Sequence, residues 1–176
     1  MPGINRYVIG LNSEGRSAVL GSEITNSQAK EGYYWRSTLW ATTAFPPDNL
    51  TDDDVSADVI TREPGPGGVI FRALEIAPDD KDPDRHRQVM AELHQAVEQQ
   101  VTPSEADLAR HPNMHRTGTL DFATCVRGEI YLMTDVDEVL LTPGDTVVIR
   151  GANHAWSNRS DEPCLVVLTM VDAQPK

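Results

Sequence analysis

Two stretches hold the residue types best suited to chemistry: His115-Arg116-Thr117-Gly118-Thr119-Leu120-Asp121 and His154-Ala155-Trp156-Ser157-Asn158. Side chains of an extended strand alternate between faces, so His115, Thr117, Thr119 and Asp121 point to one side while Arg116, Leu120 and Phe122 point to the other. His154 heads a later strand, on which Trp156 and Asn158 share its parity. Two imidazoles and a carboxylate suit one divalent metal ion with open coordination positions, and iron, zinc, manganese and nickel are not distinguished by ligand type. The expected ligands are His115, Asp121 and His154. The expected pocket residues are Thr117, Thr119, Cys125 by its parity with Asp121, Tyr131, Trp156 and Asn158, with Phe71 and Arg72 as further candidates. The competing expectation is a pocket without metal, in which Asp121 accepts hydrogen bonds from Thr117 or Thr119.

Together with Gly128 and Gly144-Asp145, these residues resemble the two-part signature of the cupin superfamily over roughly residues 110–171. His115 matches its first histidine, Asp121 its glutamate, Gly128 its closing glycine, and His154 and Asn158 its second part. This sequence departs from the pattern in four places. Thr117 stands where a second histidine would be, Asp121 is one methylene shorter than glutamate, Arg150 occupies a proline position, and the turn to His154 is one residue shorter. The resemblance implies a jelly-roll barrel, a bound metal and a small-molecule ligand. It also implies a homodimer, since the N-terminal strands of small cupins often cross to a second subunit.

The elements that would position these residues are short strands. Turn signals at Arg127-Gly128, Asp135-Val136-Asp137, Pro143-Gly144-Asp145, Gly151-Ala152-Asn153 and Ser160-Asp161-Glu162-Pro163 divide the C-terminal third into strands near 118–126, 129–134, 138–142, 145–150, 154–158 and 164–171. Upstream, Arg6–Ile24 reads as a hairpin, and 33–43 and 69–76 as strands. Residues 46–68, closed by Pro64-Gly65-Pro66-Gly67-Gly68, read as a surface loop. A helix over 82–101 opens with Asp82 as N-cap and Pro83 at its first position. Its apolar residues Val89, Met90, Leu93, Ala96, Val97 and Val101 recur at helical spacing. Packing on the outside of the sheet is the expected place for it, rather than a lid over the barrel. His86 and His94 are expected on its solvent face, and His111 in a loop. The fold expectation is a mainly β cupin barrel, a double-stranded β-helix, with one α-helix inserted before the motif strand. The expected organisation is a single domain over 1–176, with N-terminal strands and loop in 1–78 and the barrel core in 110–172.

The chain of 176 residues carries a formal charge of -12, with 15 basic residues scattered along it. That balance disfavours nucleic acid and anionic membrane surfaces, both of which reward clustered Lys and Arg. No apolar run approaches the length of a membrane span, and Met-Pro-Gly-Ile-Asn-Arg lacks a signal peptide's apolar core, so a cytoplasmic protein is expected. Cys125 and Cys164 have no zinc-binding spacing and are expected as reduced, buried thiols. No Walker loop, GxGxxG or HExxH pattern is present. The expected activity is metal-dependent lyase, dehydratase or isomerase chemistry on a small oxygenated organic substrate. An iron-dependent dioxygenase and a non-catalytic binding module are the alternatives.

Overall fold

The computed structural model describes residues 4–24, 26–49, 54–59, 61–97 and 101–174. A six-stranded antiparallel sheet holds, in spatial order, β3 (Gln28–Lys30), β4 (Tyr34–Thr42), β5 (Val69–Ile76), β11 (Cys164–Asp172), β6 (Thr119–Arg127) and β9 (Thr146–Arg150). A smaller sheet orders β10 (Ala155–Ser157), β7 (Ile130–Met133) and β8 (Glu138–Leu141). The hairpin of β1 (Val8–Leu11) and β2 (Ser17–Gly21) forms a two-stranded sheet of its own. The architecture is mainly β with two facing sheets, as expected, and its strands fall within a residue or two of the expected spans. The short strand β3 was not anticipated.

The core lies where the two sheets face each other. Ala123, Cys125, Ile149, Cys164 and Val166 of the large sheet meet Ile130, Leu132, Leu141 and Trp156 of the small one. Sheets facing each other at roughly 10 Å leave room for two interdigitated side-chain layers, so inward residues must alternate strictly with outward ones. They do so through the motif: His115, Thr117, Thr119, Asp121, Ala123 and Cys125 are buried, whereas Arg116 and Phe122 are exposed.

Helix α1 (Pro83–Ala96) starts where expected: the Asp82 side chain accepts from the amides of Asp84 and Arg85, and Pro83 occupies the first turn. It ends at Ala96 with Val97 as C-cap; residues 98–100 of the expected helix lie outside the described residues. A second helix, α2 (Glu105–Arg110), adds one capped turn and a half, with Ser104 and Asp107 forming a reciprocal capping box. Two expectations are corrected here. The stretch 46–68 is not simply a surface loop, because Arg62, Glu63 and Pro64 are buried and the Glu63 carboxylate accepts from the Gly118 amide at 2.9 Å. Helix α1 does not merely pack outside: His86, Met90 and Leu93 line the barrel cavity.

Candidate metal centre and cavity

His115 and His154 face each other across an isolated antiparallel bridge just before β6 and β10. The His115 amide donates to His154 O at 2.8 Å and the His154 amide donates to His115 O at 2.9 Å. This pair of hydrogen bonds fixes the backbone, and the ring centroids stand 4.4 Å apart. His115 Nδ1 lies 2.8 Å from Asn113 O, and His154 Nδ1 lies 2.9 Å from Ala152 O. A carbonyl can only accept, so in each neutral ring the proton sits on Nδ1 and Nε2 keeps its lone pair. That is the tautomer a metal-binding imidazole needs, held by a backbone acceptor.

Burial keeps both rings neutral. His115 is held well below the ordinary imidazole value and His154 is lowered to about 4, in each case first by desolvation, with the charge of Arg62 acting in the same direction. Asp121, 2% exposed, is raised to about 6, chiefly by desolvation and further by the nearby Glu63 charge. Hydrogen bonds from Thr119 and Thr117 oppose that rise. Its Oδ1 is buried with no hydrogen-bond partner, a costly condition for a carboxylate oxygen. Thr119 Oγ1 donates to Thr117 Oγ1 at 2.8 Å.

His115, Thr117, Asp121, His154 and Trp156 all line one cavity of about 130 Å³ between the sheets. The other expected pocket residues stand elsewhere. Thr119 is behind the lining and reaches the site only through Thr117 and Asp121. Cys125 lies four residues further down the strand than Asp121, about 13 Å away at strand rise, and packs in the core with its Sγ 3.7 Å from that of Cys164. Tyr131 packs beside Met114, Met133 and Ala155 with the Arg159 guanidinium 4.2 Å over its ring. Asn158 is a turn-binding amide: its Nδ2 donates to Ile76 O and Glu162 O, and its Oδ1 accepts from Ser160. Arg72 does line the cavity, while Phe71, on the opposite strand face, is exposed.

Several lining residues come from places the motif did not point to. His86, expected at the surface, is 8% exposed and lines the cavity. His94 is half-buried; its Nε2 lies 3.1 Å from Pro112 O and its ring 6.5 Å from that of His115. Arg36 of β4 and Arg62 of the 46–68 segment complete the charged part of the wall. Position was the signal for His86, which shares a helical stripe with Met90, Leu93 and Val97. Arg62 carried no such signal.

Among the described residues, the group of three ligand atoms lying within 4.8 Å of one another is Asp79, His86 and His111, and not Asp121 with the two bridged histidines. In that group His111 Nδ1 accepts from the Asn113 amide at 3.1 Å, which leaves the proton on Nε2, 3.7 Å from Asp79 Oδ2. Asp79 Oδ2 also accepts from Ser157 Oγ at 2.6 Å. This is a hydrogen-bonded cluster at the cavity wall whose tautomer would have to change before it took an ion.

Residues 97–171 match the family model described as Cupin domain. Over those residues the chain is similar to cupin domains. It is 40% identical over 65 residues to the cupin-domain-containing oxidoreductase srdB of Neurospora crassa, covering 36% of this chain and 33% of that protein. It is 28% identical over 127 residues to phomopsin biosynthesis cluster protein C' of Diaporthe leptostromiformis, covering 69% of this chain and 51% of that one. The chain therefore spans a third to about half the length of these curated relatives. Among solved structures it is similar to the polyketide cyclase RemF of Streptomyces resistomycificus, with TM-score 0.46 and 11% identity over 86% of this chain and 77% of that one.

Proposed function

We propose that this protein is a metal-dependent cupin enzyme acting on a small oxygenated organic molecule by lyase, dehydratase or isomerase chemistry. The observation that carries the reading is the His115–His154 pair: two buried, neutral rings, 4.4 Å apart, each with Nδ1 tied to a backbone carbonyl. That donor set fits a divalent ion of the iron, manganese, nickel or zinc group, with positions left for water and substrate. His115 and His154 would hold the ion; Asp121, whose Oδ1 is buried without a partner, lines the same cavity. Bound there, the ion would supply Lewis-acid polarisation of a substrate oxygen.

The protein's own groups do the rest. Asp121, raised to about 6, is matched to accepting and returning a proton near neutral pH, which a carboxylate at its ordinary value does poorly. Thr117 and Thr119 orient it through their hydroxyls. Trp156 offers a flat apolar wall, its ring edge-on to His154 with centroids 6.2 Å apart. Relatives named for fungal biosynthesis clusters support a small organic substrate. The relative named as an oxidoreductase favours a second reading, oxidation at the same centre if the ion is ferrous.

The same proposal includes a homodimer. The β1–β2 hairpin exposes Tyr7, Ile9, Leu11 and Val19, and an isolated two-stranded sheet is marginal in water unless its apolar face is covered.

Metal content measured after purification without added ions tests the centre. One equivalent of a transition metal is expected in the native protein, and its loss in His115→Ala and in His154→Ala. Metal retained in both variants sinks the assignment. Carbon dioxide release against oxygen consumption then separates the two chemistries.

A further inference from the structure

The part of the cavity wall formed by β4, β5 and the 46–68 segment carries buried positive charge that the chemistry above does not use. Arg62 and Arg72 are 9% and 5% exposed, and Arg36 lines the cavity with them. A guanidinium taken out of water is costly unless an anion compensates it. Among the described residues no ion pair includes Arg62 or Arg72. Arg72 spends its hydrogen bonds on neutral oxygens: Nη1 donates to Arg62 O at 3.0 Å, and Nη2 to Thr61 O at 2.9 Å and Thr38 Oγ1 at 3.4 Å. Its Nε is buried with no partner. Arg62 Nη2 meets His94 Nδ1 at 3.4 Å.

Glu63 partly compensates Arg62, but burial and repulsion from Arg36 outweigh it. Arg62 is lowered to about 10, and Arg72, with both neighbours against it, to about 9. The lining also carries Asp79, Asp80 and Asp121, but Asp79 is engaged by Ser157 and Asp80 by Tyr33 and Arg85, and no ion pair among the described residues joins them to Arg62 or Arg72.

We propose that this wall is an anion site and that the cavity's ligand is a small organic carboxylate, its carboxylate group taken by Arg62 and Arg72 and its far oxygen directed to the His115–His154 pair. Guanidiniums match carboxylate oxygens in geometry and charge. The register sets how far Arg72 stands from Asp121, since Asp121 pairs with Met170, which pairs with Ile70, two residues from Arg72, while Arg62 is near enough for its charge to act on both imidazoles. Two strands and two residues amount to roughly 12 Å of backbone separation, from which two side chains reach inward. The volume near 130 Å³ compares with cavities of about 150 Å³ that hold benzene, so the enclosed part of the ligand is on the order of six non-hydrogen atoms. Leu74, Leu168, Met170 and Trp156 supply the apolar surface between the two ends. The inference rests on the proposed activity only in assigning the ligand's reactive end to the imidazoles.

Calorimetric titration of the metal-free protein with benzoate, benzamide and sulfate tests it. Benzoate is expected to bind at least about tenfold more tightly than benzamide, the value of one charge-assisted contact. It should exceed sulfate as well, which lacks apolar surface. Arg62→Gln should lose about tenfold for benzoate and almost nothing for benzamide, with Arg62→Lys intermediate. Benzamide or sulfate binding as tightly as benzoate, no benzoate binding at millimolar concentration, or an unchanged affinity in a folded Arg62→Gln protein each overturns the proposal. The comparison of three probes on the native protein stands even if a variant fails to fold. Arg62→Gln should keep its metal while losing benzoate affinity, and His115→Ala should lose metal, so failure of the metal reading and failure of the anion site give different results.

Discussion

Asp121 and the two bridged histidines pull the acid stability of the metal-free protein in opposite directions. A carboxyl raised from 3.8 to about 6 binds its proton more tightly folded than unfolded, so its contribution falls as pH rises through that window. The imidazoles are depressed, so theirs is present above the ordinary value of 6.5 and is lost as pH falls, for His154 toward about 4. Asp121 and His154 are displaced by similar amounts in opposite senses and offset one another, so His115 decides the sign. Stability should therefore fall between about pH 6.5 and pH 4, and Asp121→Asn, which removes the opposing term, should steepen the fall and be more stable than the native protein at about pH 8. Urea denaturation across that range checks both; a flatter curve in the variant contradicts the assignment. The alternation that buried His115, Thr117, Thr119 and Asp121 together was legible in the sequence because strand parity is a local property. How near Asp121 comes to the imidazoles was not, since β6 and the His115–His154 bridge meet through twist and pairing between distant segments.

Elements were readable to the extent that punctuation marked them. Turn glycines and prolines located nearly all the strands, and Asp82-Pro83 located the start of α1. The docking of α1 over the cavity was hidden, because the stripe of His86, Met90, Leu93 and Val97 says which side is inward but not against what. The 46–68 segment was opaque for a related reason: a Pro/Gly-rich connection has no periodicity, so nothing distinguished buried Arg62 and Glu63 from solvated charges. Replacing the N-cap, Asp82→Ala, frees the amides of Asp84 and Arg85 and should lower stability by about 1 kcal/mol in thermal melts. The turn before β7 is stricter. Gly128 has φ of 75°, and a Cβ there would meet Pro163 O at 2.7 Å and Cys164 Cα at 3.0 Å. Gly128→Ala should cost more than the roughly 1 kcal/mol of backbone strain alone, because both obstacles are main chain. A melting temperature within error of the native value would show that the β6–β7 turn can shift. Gly128 and Asn158, two positions of the family signature, thus build turns and leave chemistry to their neighbours.

At the scale of the molecule, the acidic surface and the apolar hairpin make opposing demands on association. If a second copy covers Tyr7, Ile9, Leu11 and Val19, sedimentation at micromolar concentration should give twice the chain mass, and Ile9→Lys with Leu11→Lys should halve it. A native mass of one chain would remove the dimer. Composition indicated a surface repelled by nucleic acid phosphates, but it could not separate a free hairpin from a shared one. The pair of sulfurs in the barrel floor gives a way to watch the whole assembly. Cys125 and Cys164 are fully enclosed, 3.7 Å apart, with Cys164 pushed up to about 12 and Cys125 also raised, both by burial first. Neither is reactive as a thiolate while the two sheets stay together, so a maleimide added to the native protein has to wait for them to part. The labelling half-life becomes a stopwatch for barrel opening, and a cavity ligand that bridges both walls should slow it.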